Sequence, residues 1–218
     1  MFRNIILNIL KEIYPMMIIC CILIIITRLI YIKKSKKEFI LYKELIYLGF
    51  MIYMMLLFRI VTFQDVNYSD FNIIPFKEMF RYEIGSKLFF KNVVGNMLMF
   101  IPYGFFISYI LKENTPWSII ILSLFASFTI EITQYRIGRV FDIDDIMLNL
   151  IGGFLGYILY FIILKIKDKL PNSLQKISVY NIIVLLIVIL ILLYLMGVFY
   201  VWNRKFNWRK NNWIRNNK

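Results

Sequence analysis

Residues 128–156 read FTIEITQYRIGRVFDIDDIMLNLIGGFLG, and this stretch decides the fold. It closes one apolar segment, crosses a short charged turn and opens a second apolar segment. A bilayer core needs roughly 20 apolar residues per helix, and it forbids backbone groups without partners. Two such segments joined by so short a turn therefore read as antiparallel membrane-spanning helices. Working outward, the same pattern recurs at Ile13–Ile32, Leu41–Phe63, Val93–Leu111, Trp117–Tyr135, Ile146–Ile166 and Val179–Trp202. The predicted fold is all-α, a polytopic transmembrane helical bundle of about six spans.

Composition supports this. The chain has 218 residues, of which 61% are hydrophobic and 18% charged, with a mean hydropathy of +0.70. A soluble domain of that size cannot hide so much apolar surface, and a disordered chain would lack it. The net charge of +13 suits loops and tails facing anionic lipid heads. No groove-reading motif accompanies it, so no nucleic-acid partner is expected. There is no histidine, which removes the commonest general base and metal ligand. Cys20 and Cys21 are adjacent within an apolar run, where helical neighbours point apart and a disulfide between them is disfavoured.

Three regions are expected: residues 1–40 as an added N-terminal helix with a basic cytoplasmic loop, 41–202 as the main transmembrane domain, and 203–218 as a basic, Trp-containing tail. The loop lysines Lys33, Lys34, Lys36, Lys37 and Lys43 favour a cytoplasmic first loop. The loops Gln64–Asn92 and Arg136–Asp145 then face outward. The basic residues from Arg204 to Lys218 count for the opposite orientation.

The candidate site is built from polar residues in or beside the spans. Glu131 sits deep in an apolar helix, where a charge costs about 2.5–3.5 kcal/mol and is kept for a partner or a purpose. Gln134 shares its face at i+3. Asp142, Asp145 and Asn149 follow at i, i+3, i+7, one stripe on a helix entering the membrane, with Asp142 placed to cap it. Arg139 stands in the turn between. Asn92 and Asn96 form an i, i+4 pair at the start of the third span. Asn72–Phe76 is expected to be an interfacial turn broken by Pro75, its Phe71, Ile73, Ile74 and Phe76 dipping into the headgroups. Two readings follow. Either Asn72, Asn92, Asn96, Glu131, Gln134, Arg139, Asp142, Asp145 and Asn149 converge on a ligand, or the acids merely cap a helix and pair with Arg136 or Arg139. Acids with Asn can hold a hard cation. Spacing alone assigns no metal and no cofactor. Gly152 and Gly156 form a small-xxx-small pair for close helix packing.

The order NIIPF, NVVGNMLMFIPYGFF, EITQ and DIDDIMLNLIGGFLG resembles the VanZ-like family of bacterial membrane proteins. The resemblance covers roughly Leu41 to Trp202. It carries the family pattern onto Asn72, Pro75 and Phe76; Asn92 or Asn96, Pro102 and Gly104; Glu131 and Gln134; and Asp142, Asp145, Asn149 and Gly152–Gly153. Asp144 is an extra acid to which no role carries over. The resemblance implies a multi-pass protein of the bacterial cytoplasmic membrane that affects the cell envelope or teicoplanin susceptibility. The expected partners are membrane lipids, with a lipid-linked cell-wall precursor or a glycopeptide as ligand. The expected role is binding rather than catalysis. The alternatives are a cation-assisted enzyme acting on a lipid phosphate or acyl group, and a non-enzymatic structural or interaction protein.

Overall fold

The computed structural model describes residues 2–36, 38–62, 71–112, 115–191 and 193–194, with side chains from residue 14 onward. Helix α1 spans Phe2–Ser35 and α2 spans Leu41–Thr62. Helix α3 spans Lys87–Leu111, α4 Trp117–Arg136 and α5 Ile143–Lys169. A shorter apolar helix, α6, covers Ile177–Ile191. Within the first five are segments long and apolar enough to cross a membrane, beginning at Tyr14 in α1. The sixth expected span, Val179–Trp202, overlaps α6; apart from 193–194, its remainder and the tail at 203–218 lie outside the described residues.

Local chemistry sets the helix boundaries. Ser86 caps α3 by accepting the Phe89 N–H at 3.1 Å. The helix then passes through a π-helical turn at Phe90–Val94 and continues across Pro102. It therefore starts before the expected Val93, because the cap lies outside the apolar run. Lys112, with φ +55°, ends it in the left-handed region. Helix α4 closes on Gly138, φ +87°, whose N–H donates to the Tyr135 carbonyl at 3.0 Å while Arg139 N–H reaches Gln134 at 2.9 Å. That crossed pair satisfies two orphan carbonyls and reverses the chain.

Contact divides the chain into two units, Met1–Glu38 with Ile46–Lys169 and Phe39–Leu45 with Leu170–Lys218. In the second unit, the Tyr42 N–H donates to Asn181 Oδ1 at 3.0 Å, and the Tyr42 and Tyr180 rings lie 5.5 Å apart.

The first unit contains the tightest packing. Lipid is as apolar as leucine, so burial alone does not bring membrane helices together; close approach does. Helices α3 and α5 meet along glycines. A methyl group on Gly104 would overlap the Gly153 carbonyl, one on Gly152 the Met97 carbonyl, and one on Gly156 the Ile101 carbonyl. On the other side of α5, a methyl on Gly153 would strike Ser123 of α4. The expected packing role of Gly152 and Gly156 is met, with Gly104 as part of their partner surface. Beside this seam, Leu57 and Val61 of α2 pack with Phe100 and Tyr103 of α3. Tyr53 and Tyr103 hydroxyls donate to the Met99 and Leu122 carbonyls at 2.6 and 3.2 Å.

Candidate ligand-binding mouth

At one end of these helices two remote segments join. Phe71–Asn72 forms strand β1 and Phe141–Asp142 forms β2, paired in parallel with Asn72 opposite Asp142. Asn72 Nδ2 donates to Asp142 Oδ1 at 2.9 Å. The same oxygen accepts the Asp144 N–H at 2.9 Å, so Asp142 caps α5 as expected. The Asp142 N–H in turn donates to Glu131 Oε2 at 2.9 Å, which gives the buried Glu131 a partner. Burial pushes the Asp142 carboxyl above its ordinary value, against the pull of the Asp144 N–H and Asn72.

The centre of the arrangement is Asp144, to which the sequence assigned no role. It is 1% exposed. Its Oδ1 accepts the Phe76 N–H, and its Oδ2 accepts those of Glu78 and Met79 at 2.7 and 3.0 Å. Convergent backbone N–H groups of this kind form an anion-binding nest, filled here by a carboxylate of the chain itself. Asp144 also lies in the first turn of α5, where the helix dipole favours a negative charge. Its three bonds hold Phe76 at φ +66°, a left-handed conformation that a bulky residue adopts only when its surroundings impose it. The Asn72–Phe76 segment is thus a turn, as expected, with Ile73, Ile74 and Phe80 at 60–80% exposure.

The remaining candidates bind neighbouring helices. Asn96 Nδ2 of α3 donates to Asp145 Oδ1 of α5. Asn149 Nδ2 donates to Ser127 Oγ of α4 at 2.9 Å. Gln134 Nε2 and Arg139 Nη1 both reach the Val61 carbonyl at 3.0 Å. That carbonyl belongs to the last turn of α2, which has no helical partner to offer and favours a cation. Arg139 therefore serves a helix end, and its charge also lies close enough to act on the Glu131 and Asp145 carboxyls. Asn92 lies half-buried in the π-helical turn, and among the described residues no hydrogen bond ties it to the others.

Asn72, Asp142 and Glu131 thus form one hydrogen-bonded chain, while Asn96 with Asp145, Asn149 with Ser127, and Gln134 and Arg139 with the Val61 carbonyl form three separate groups; the eight side chains come from α3, α4, α5, the turn after α4 and the β1–β2 bridge. Three amide oxygens of these residues, Asn72 Oδ1, Gln134 Oε1 and Asn149 Oδ1, are buried and accept no hydrogen bond among the described residues. Among the described residues no group of three or more Cys, Asp or Glu is disposed to hold a metal ion. Asp144 had one readable signal. Stepping back by fours from Gly156 and Gly152 along the buried face of α5 gives Leu148 and then Asp144.

A family model described as VanZ/LLP1 matches residues 44–164 of this chain. Over 73 residues the chain is 37% identical to Protein VanZ of Enterococcus faecium, which covers 33% of this chain and 45% of that protein. The match therefore spans less than half of the curated relative. No solved structure matches the chain.

Proposed function

The chain belongs to the VanZ/LLP1 family, and from that premise we propose that it alters glycopeptide susceptibility, teicoplanin above all, at the bacterial cytoplasmic membrane. Its mouth faces outward and binds a polar envelope ligand, either a lipid-linked wall precursor or the glycopeptide itself. The observation that carries this reading is Glu131, a carboxyl 1% exposed inside a membrane helix whose Oε2 accepts a single backbone N–H. So expensive a group is retained for a purpose, and neighbouring Asp145 is held in place by Asn96. A ligand rich in hydroxyl or amide donors suits this acceptor-rich group of buried side chains. Expression in a susceptible host should raise the teicoplanin concentration needed to stop growth. Glu131→Gln and Asp145→Asn should each abolish that increase at equal membrane abundance. Unchanged protection by both variants would sink the proposal.

A second, structural reading has its own support in Asp142 and Asp144. One caps α5 and the other clamps the 76–79 turn, so both are fully accounted for by architecture.

A further inference from the structure

Beside the mouth, the segment from Ile73 to Phe90 is unlike an ordinary loop. Ile73, Ile74, Phe80 and Ile84 are 60–83% exposed, yet the chain beneath them is fixed by the three bonds to Asp144. Rigid apolar exposure on this scale marks an interaction surface. Basic residues accompany it: Lys77, Arg81, Lys87 and Lys91. Between the aromatics lies an open cleft of about 600 Å³ lined by Phe71, Asn72, Phe76, Phe80 and Val140 together with Lys77, Glu78 and Arg81. Arg81 engages Glu78 through Nη1 alone, at 3.0 and 3.2 Å, and a guanidinium has further donors in its fork. The two cations and one carboxylate leave the cleft with a single net positive charge.

The geometry points to this cleft as a site for one membrane phospholipid with a mono-anionic phosphodiester headgroup. The phosphate lies against Lys77 and Arg81, and the glycerol and upper acyl carbons lie against Phe71, Phe76 and Phe80. Charge complementarity selects the occupant, since a zwitterionic headgroup would bring an unmatched ammonium beside the same cations. The cleft adjoins the mouth through Asn72, but Lys77, Arg81 and the aromatics on which the assignment rests lie outside the Glu131–Asp145 group, so it does not depend on the antibiotic reading.

The test uses the purified full chain in detergent, with bound lipid read by native mass spectrometry. Phosphatidylglycerol and phosphatidylcholine are offered at equal concentration. Wild-type protein should retain phosphatidylglycerol at least about fivefold over phosphatidylcholine, the effect expected of one surface cation near an anionic lipid. The double variant Lys77→Gln/Arg81→Gln should lose that preference, whereas Lys77→Arg/Arg81→Lys should keep it. Both positions are surface residues, and an unchanged melting temperature confirms that the variants fold. Equal retention of the two lipids by wild type would overturn the assignment. So would a preference that survives the double Gln variant, which would place it on other basic segments. Displacement of the lipid by millimolar inorganic phosphate would show a site for free phosphate in place of a lipid, and would also overturn it.

Discussion

The glycine seam and the polar mouth hold the same helices together by opposite means. Along the seam, α3 and α5 touch because Gly104, Gly152 and Gly156 leave out a side chain. At the mouth, Asp144 joins α5 to a turn far away in sequence by supplying a buried charge. The first device depends on shape and tolerates no added atom. The second depends on hydrogen bonds and tolerates shape changes only while the acceptor survives. A membrane protein without a hydrophobic drive between its helices needs devices of this kind, and here they are separated along one helix.

The largest expected effect breaks the seam. Gly104→Ala puts a methyl onto the Gly153 backbone, which cannot move as a side-chain tip does, and should cost about 3 kcal/mol. Gly49→Ala is the control, because nothing lies within 4 Å of that position, and its thermal midpoint in detergent should be unchanged or slightly raised. Equal gains at both positions would show that helix propensity, not close approach, governs the seam.

Next is the mouth. Asp144→Ala orphans three backbone N–H groups and should cost about 2 kcal/mol. The damage should be local: trypsin should cut faster at Lys77 and Arg81, while hydrogen exchange in the middle of α3 and α5 stays slow. Global acceleration would mean that seam and mouth are one cooperative unit. Arg139→Gln removes the charge beside the last turn of α2 and should lower stability by about 0.5–1 kcal/mol, read as a shift in the thermal midpoint.

The smallest effect concerns pH. Because burial raises the Asp142 carboxyl, the folded state holds this proton more tightly than the unfolded chain does. Its contribution to stability is therefore full below the ordinary carboxylate range and is lost as pH rises through the raised value. Asp142→Asn keeps the cap, so stability near neutrality should change little, and that part of the pH slope should flatten. A slope unchanged by the variant would assign the titration to another group.

The two regions were not equally legible. Gly152 and Gly156 announce a close approach by spacing alone, but spacing names a face and not its partner. Gly104 enters only through the family pattern, beside Pro102. The acids of residues 142–145 were harder. Asp142 and Asp145 share one side while Asp144 points to another, and only the tertiary register decides which of them meets the 76–79 turn. The stripe of Asp142, Asp145 and Asn149 drew attention because it runs along one side. Each of the three does make a polar bond, yet Asp144, on the glycine face, carries the turn. The helices themselves are plain from hydropathy; their starts differ where a cap such as Ser86 lies outside the apolar run, and in α1, which begins at Phe2, well before the expected Ile13.

The nest around Asp144 also has a consequence in time. The N–H groups that need this carboxylate belong to residues 76–79, and α3 and α4 are both synthesised before α5 supplies it. The strand at Phe71–Asn72 waits equally for Phe141–Asp142. A growing chain therefore enters the membrane with its mouth open. Both the seam and the fastened mouth need residues from 141 onward, so truncation just before residue 141 should leave the earlier helices with neither.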